Sequence, residues 1–128
     1  MTTSSLTPSR HLFIPEVALE KMGQFARGDF EVGGFLFPQP NAHGQWICTL
    51  INEASDKRHS ITFNRQQFIK VGSDYLSATD YEWEDLTVWH THPGGNIGPS
   101  RMDMKNRIPQ MGNLVITVVN GEVIPTWF

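Results

Sequence analysis

Across residues 14–26 the apolar positions Val17, Leu19, Met22 and Phe25 recur at near-helical spacing, and Pro15 stands where a first-turn proline is tolerated. The pattern predicts a helix that Gly28 and Asp29 end. The period then shortens. Residues 31–37 form an apolar run, Glu31-Val32-Gly33-Gly34-Phe35-Leu36-Phe37, closed by Pro38, and read as a buried strand. Residues 38–44 are a turn or loop. A second strand is predicted over 46–51 and a third over 60–63, with Ile61 and Phe63 on one side. Residues 66–77 carry Phe68, Ile69, Val71 and Tyr75 and read as a second helix. The acidic stretch 80–85 reads as a solvated loop. Residues 86–90 alternate Leu86, Val88 and His90 against Thr87 and Trp89, as a strand does. A Gly/Pro/Asn-rich loop over 93–99 leads into a short helix over 100–108. A strand over 114–119, the hairpin signal Asn120-Gly121 and a last strand over 123–128 close the chain. Interspersed helices and strands with a terminal hairpin predict an α+β fold, a mixed and mostly antiparallel sheet flanked by helices.

Composition narrows the field. A chain of 128 residues has room for one domain, expected over 11–128 behind a flexible polar tail at 1–10. The formal net charge is −3 and the pI about 5.9, without the basic excess of a nucleic-acid binder. The single cysteine, Cys48, permits no internal disulfide and excludes zinc sites built on two or more thiolates. With no signal-like N-terminus and no apolar run of about 18 residues, a cytoplasmic protein without a membrane partner is expected. His11, His43 and His59 lack ligand spacing and read as surface residues. Cys48 reads as a small core residue, and Trp46, Trp83, Trp89 and Trp127 as packing residues.

The chemistry concentrates between Trp89 and Asp103. Residues two apart on a strand share a face, so His90 and His92 present two imidazoles to one point. Pro93 ends the strand, the loop turns the chain back, and Ser100 and Asp103 fall three apart on a first helical turn. Asp103 is thereby placed to add an oxygen ligand. Three protein ligands leave a fourth position open, the mark of a catalytic rather than a structural zinc. A hydrolase of this kind needs a base that is not a ligand. Glu31 is the candidate, a carboxylate entering a buried strand just before Gly33-Gly34, where another backbone or a ligand can approach closely. Ser100-x-x-Asp103 also fits a helix N-cap box.

A glutamate before a Gly-containing apolar strand, then His-Thr-His, seven residues, Ser, two residues and Asp, resembles the JAMM motif of the MPN (Mov34/PAD-1) metallopeptidases. Glu31, His90, Thr91, His92, Ser100 and Asp103 all match at the family's spacing. The resemblance implies a single MPN-like, cytidine-deaminase-like domain. It also implies a Zn2+ ion on His90, His92 and Asp103, with Glu31 as the base that activates the zinc water and Ser100 as oxyanion donor. Thr91 is a motif position without a direct chemical role. The implied reaction is hydrolysis of a peptide or isopeptide bond after the C-terminal tail of a ubiquitin-like protein, which would be the substrate partner. The short stretch after Asp103 lacks the insertions that help eukaryotic relatives grip ubiquitin. Grip would then be minimal, or supplied by a second copy or another protein.

Alternatives implied by the same resemblance are a non-catalytic MPN scaffold, a RadC-like protein suggested by the Gly94-Gly95-Asn96 loop, and a phage peptidase that processes virion or tail proteins. Scaffold versions typically lose motif residues, and none is missing here. Zinc nucleoside deaminases share a related fold, but their Pro-Cys-x-x-Cys ligands are absent.

Overall fold

A computed structural model describes residues 13–128. The elements run α1 (Glu16–Ala26), β1 (Gly33–Leu36), β2 (Ile47–Leu50), α2 (Arg65–Ser77), β3 (Thr87–His92), α3 (Arg101–Lys105), β4 (Gly112–Val119) and β5 (Glu122–Trp127). The five strands form one sheet in the order β2-β1-β3-β4-β5. Only β3 and β4 are parallel; the other three pairings are antiparallel. The architecture is the expected MPN-like α+β arrangement. The proposed tail at 1–10 and His11 lie outside the described residues.

Strand alternation divides the core between the two faces of the sheet. On one face Ala18, Met22 and Ala26 of α1 pack on Leu36, Ile47, Trp89, Leu114 and Ile116. On the other, Phe35, Leu50, Leu86 and Val88 are joined by Tyr75, with Phe68 and Val71 of α2 packed alongside. Trp89 is fully buried and donates its indole N–H to the Phe35 carbonyl at 3.0 Å. Trp46 and Trp127 pack on the α1 side and Trp83 on the α2 side, as packing residues. Cys48 is half-buried beside the α2-side core, and that burial pushes its thiol pKa up.

Gly33 and Gly34 hold the centre of the sheet together. A Cβ on Gly33 would meet the Trp89 carbonyl and, at 2.7 Å, the Phe63 ring; one on Gly34 would strike the Cys48 backbone. The close approach expected at this pair is therefore made by neighbouring strands. At the far edge, Asn120 (φ 51°) and Gly121 (φ 81°) both take left-handed conformations, as a two-residue hairpin turn requires.

Two predicted elements differ. Residues 60–63 form no strand, only an isolated bridge between Asn52 and Phe63. The Asn52 side chain replaces the ladder, accepting from the Ala54 and Thr62 N–H groups and donating to the Ser60 and Glu31 carbonyls. The helix predicted over 100–108 stops at Lys105. Beyond it the Asn113 side chain captures both backbone groups of Ile108, which turns the chain toward β4. The acidic stretch also contains a single 3-10 turn, Trp83–Asp85. Among the described residues no helix is long and apolar enough to cross a membrane.

Candidate metal centre

The site forms where β3 outruns β1. The β1 ladder covers β3 only as far as Gly33 opposite His90, while β4 continues to Thr117 opposite His92. Past the end of β1, Thr91 takes over. Its N–H donates to the Val32 carbonyl at 2.8 Å, and its hydroxyl accepts from the Val32 N–H at 3.0 Å. Val32 is thereby held on both backbone groups, and its neighbour Glu31 is buried beside the histidines. The Glu31 N–H donates to the Lys57 carbonyl, and the Glu31 carbonyl accepts from Asn52, so the glutamate backbone is fixed from both sides.

His90 and His92 share one sheet face, as strand periodicity demands, with ring centroids 5.1 Å apart. Nδ1 of His92 lies 3.2 Å from the Asn96 carbonyl, which also accepts from the Thr117 hydroxyl. A carbonyl only accepts, so this nitrogen carries the proton and Nε2 is left to face the site. Pro93 and the following loop bring the chain back to Ser100, whose hydroxyl accepts from the Asp103 N–H at 3.1 Å. Oδ2 of Asp103 in turn accepts from the Ser100 N–H at 2.8 Å. The N-cap box foreseen in the sequence is present, and it aims the aspartate.

The same Oδ2 lies 2.9 Å from Nε2 of His92 and 3.1 Å from Nε2 of His90. Glu31, His90 and His92 also offer ligand atoms within 4.8 Å of one another. The structure thus brings together Glu31, His90, His92 and Asp103, with Ser100 at the rim. Among the described residues His90 Nε2 is the one buried side-chain polar atom without a hydrogen-bond partner, since its contact with Asp103 is poorly aligned. Two imidazole nitrogens and a carboxylate oxygen do not converge at such distances without a positive charge between them, either protons or a metal ion. Tetrahedral zinc with ligands at about 2.0–2.1 Å requires ligand atoms about 3.3 Å apart, close to the spacing seen. The donor set therefore fits a divalent metal.

Electrostatics follow the geometry. Burial pushes the Glu31 carboxyl above its usual range, partly offset by His90 and His92. The hydrogen bond to Asp103 pushes His92 up against the opposing effect of burial. Burial also opposes ionisation of Asp103, but the two imidazoles outweigh it and hold that carboxyl far below the usual range.

Residues 15–128 match the family model of prokaryotic homologs of the JAB domain. The chain belongs to this family. The resemblance read from Glu31 to Asp103 is thus one of family membership, over nearly the whole chain. No curated protein sequence matches the chain significantly.

Two cavities flank this His-His-carboxylate cluster of the JAB domain. One of about 530 Å³ is bordered by His90, Asp103 and Ser100 together with Arg107 and Phe128. The other, about 360 Å³, is bordered by Glu31, His92 and Ser100 together with Arg58 and Ile97. His59 borders both. It is an exposed surface residue, as expected, and its Nδ1 lies 3.0 Å from Asp56 Oδ2. The sequence offered no role for Thr91 or Asn52, and pointed to Asn96 only as part of the Gly94-Gly95-Asn96 loop. For Thr91 the clue was its place between the two histidines. Asn52 and Asn96 act through partners distant along the chain or through a main-chain carbonyl, which leaves no local pattern.

Proposed function

We propose that this JAB domain is a zinc-dependent peptidase that hydrolyses the peptide or isopeptide bond after the tail of a ubiquitin-like protein. The observation that carries the reading is the convergence of both histidine Nε2 atoms on one oxygen of Asp103, with the buried carboxylate of Glu31 beside them. His90, His92 and Asp103 would hold the ion. Asp103 is the third ligand rather than Glu31 because its Oδ2 already touches both imidazoles and is oriented by the Ser100 N–H. Zinc, when bound, supplies Lewis acidity toward the scissile carbonyl and acidifies water to a pKa of about 7.

The remaining groups handle protons and charge. Glu31 stands close enough to the histidines for a water molecule to lie between it and the ion. Burial raises its pKa above the usual carboxylate range, which makes it a stronger proton acceptor. It takes a proton from the attacking water and delivers it to the leaving amine. The Ser100 oxygen accepts from Asp103, so its own O–H remains available to donate to the developing oxyanion. The Asn96 carbonyl keeps His92 in the tautomer that offers Nε2, and Thr91 holds the segment that carries Glu31. A second copy or a partner protein would supply the grip on the folded part of the substrate.

The test combines metal analysis with cleavage of a ubiquitin-like protein bearing a C-terminal peptide fusion. Wild type is expected to carry one zinc and to cut the fusion. Glu31→Gln should keep the zinc and lose about 10²–10⁴-fold in rate, the usual worth of a general base. A wild type that binds no zinc, or a Glu31→Gln variant as active as wild type, sinks the reading.

A further inference from the structure

Half of the ten Lys and Arg residues of this acidic chain lie on two short segments beside the metal centre: Lys57 and Arg58 on one, Arg101, Lys105 and Arg107 on the other. The carboxylates nearby are already engaged. Asp103 and Glu31 belong to the metal nest, and Asp56 is bonded to His59. Among the described residues neither Arg58 nor Arg107 has a carboxylate at ion-pair distance. Arg58 instead lies over the exposed Phe30 ring, 5.7 Å from its centroid. Stacking occupies the face of the guanidinium and leaves its in-plane N–H donors for a carboxylate.

The placement of these two cations is specific. Arg107 borders the cavity that contains His90 and Asp103; Arg58 borders the cavity that contains Glu31 and His92. Ser100 and His59 are common to both, so the metal nest sits at the waist between them. An extended polypeptide laid across the waist passes one arginine before the scissile bond and the other after it. The acidic residues Asp80, Glu82, Glu84 and Asp85 are gathered instead in one stretch between α2 and β3. The positive mouth is therefore a local arrangement, opposite in sign to the net charge of −3.

We propose that the polypeptide segment carrying the scissile bond is acidic on both sides of that bond, with Arg58 and Arg107 reading its carboxylates from the two cavities. The proposal deepens the peptidase reading and rests on it, because it names the class of segment that the same site would cut. Each arginine makes an exposed, charge-assisted contact, so its effect is moderate and falls as salt rises.

The experiment measures binding without turnover. Zinc-loaded Glu31→Gln protein is titrated into fluorescein-labelled Glu-Glu-Gly-Gly-Glu-Glu and into its Lys-Lys-Gly-Gly-Lys-Lys counterpart, with fluorescence anisotropy as the readout. The acidic peptide should bind about tenfold more tightly at low salt, with the gap narrowing at high salt. Arg58→Glu and Arg107→Glu should each weaken it about threefold, and together they should abolish or invert the preference. Circular dichroism and zinc content should stay unchanged in both variants. Equal binding of the two peptides overturns the proposal, as does a preference insensitive to both substitutions. An oligothymidylate that binds more tightly than the acidic peptide also overturns it, in favour of a polynucleotide. Preferred binding of the acidic peptide, combined with no hydrolysis by wild type, would remove the peptidase reading and leave the acidic docking site standing.

Discussion

Two histidine–aspartate contacts of nearly equal length stand side by side in this molecule. His92 meets Asp103 at 2.9 Å, and His59 meets Asp56 at 3.0 Å. Distance does not separate them; surroundings do. The side chains of His59 and Asp56 are 79% and 61% exposed, while those of His92 and Asp103 are 10% and 12% exposed. The surface pair is two side chains joined by one contact across a turn that the His59 N–H to Asp56 carbonyl bond also closes. The buried pair belongs to a nest in which a second imidazole reaches the same oxygen and a second carboxylate is buried alongside. A buried charge must be matched by other charges or by a metal, whereas water screens a surface pair. Chemistry follows from convergence and burial, and the acid–imidazole distance alone says little.

The largest expected effect tests this directly. Asp103→Ala removes the oxygen on which both imidazoles converge and should weaken zinc binding by more than about 100-fold, beyond the range typical of outer-shell changes. Asp56→Ala should leave zinc affinity untouched. Competition titration against a chelating dye measures both. Equal affinities in the two variants would erase the distinction between the nest and the surface pair.

Next in size is a change that loosens the nest without touching a ligand. Thr91→Val keeps shape but leaves the part-buried Val32 N–H without its acceptor, at a cost of about 1 kcal/mol in stability. Chemical denaturation measures it, and zinc stoichiometry should remain one. A Thr91→Val protein as stable as wild type would mean that Val32, and with it Glu31, is held some other way.

The buried pair should also give the metal-free protein a pH signature. The folded-state pKa of His92 is raised, so its contribution is full below the unfolded value of about 6.5 and is lost as pH rises through the raised value. That of Asp103 is lowered, so its contribution is present above about 3.9 and fades only as pH falls through the lowered value. Glu31 acts oppositely: its raised pKa means that ionising it above its ordinary range costs stability in the fold. The pair therefore stabilises the apo protein most between about pH 4 and 6.5. Zinc requires imidazoles free of that proton, so its stabilisation should grow as pH rises past the His92 value. Melting curves with and without zinc across this range measure the crossover. A zinc-induced shift that is the same at pH 5.5 and pH 8 would contradict it.

The legibility of the sequence divides along the same line. Period-two and helical patterns, the Pro93 stop and the Asn120-Gly121 turn placed most elements, because each is a local consequence of backbone sterics. His90, His92, Ser100 and Asp103 were legible for the same reason: each sits at a fixed offset from a strand end or a helix start. The misreading at residues 60–63 has a non-local cause. Ile61 and Phe63 carry strand-like chemistry, but the Asn52 side chain, eight to ten residues earlier, takes the backbone groups a ladder would have used. Likewise Asn113 ends the helical segment from beyond it. Neither partner announces itself by spacing. His59 was readable only as a residue without ligand spacing, and its place at the waist of two cavities appears only once Glu31 and Ser100 are brought together.

The smallest expected effect keeps the comparison honest from its other side. Asp56→Asn leaves His59 with a neutral acceptor in place of a carboxylate at a fully exposed turn. The carboxyl of Asp56 is held below its usual range chiefly by the hydrogen bond with His59, so the contact exists, but water screens it. The melting temperature of Asp56→Asn should match that of wild type within error, at low and at high salt. A marked loss of stability would place the surface pair alongside the nest as a structural element.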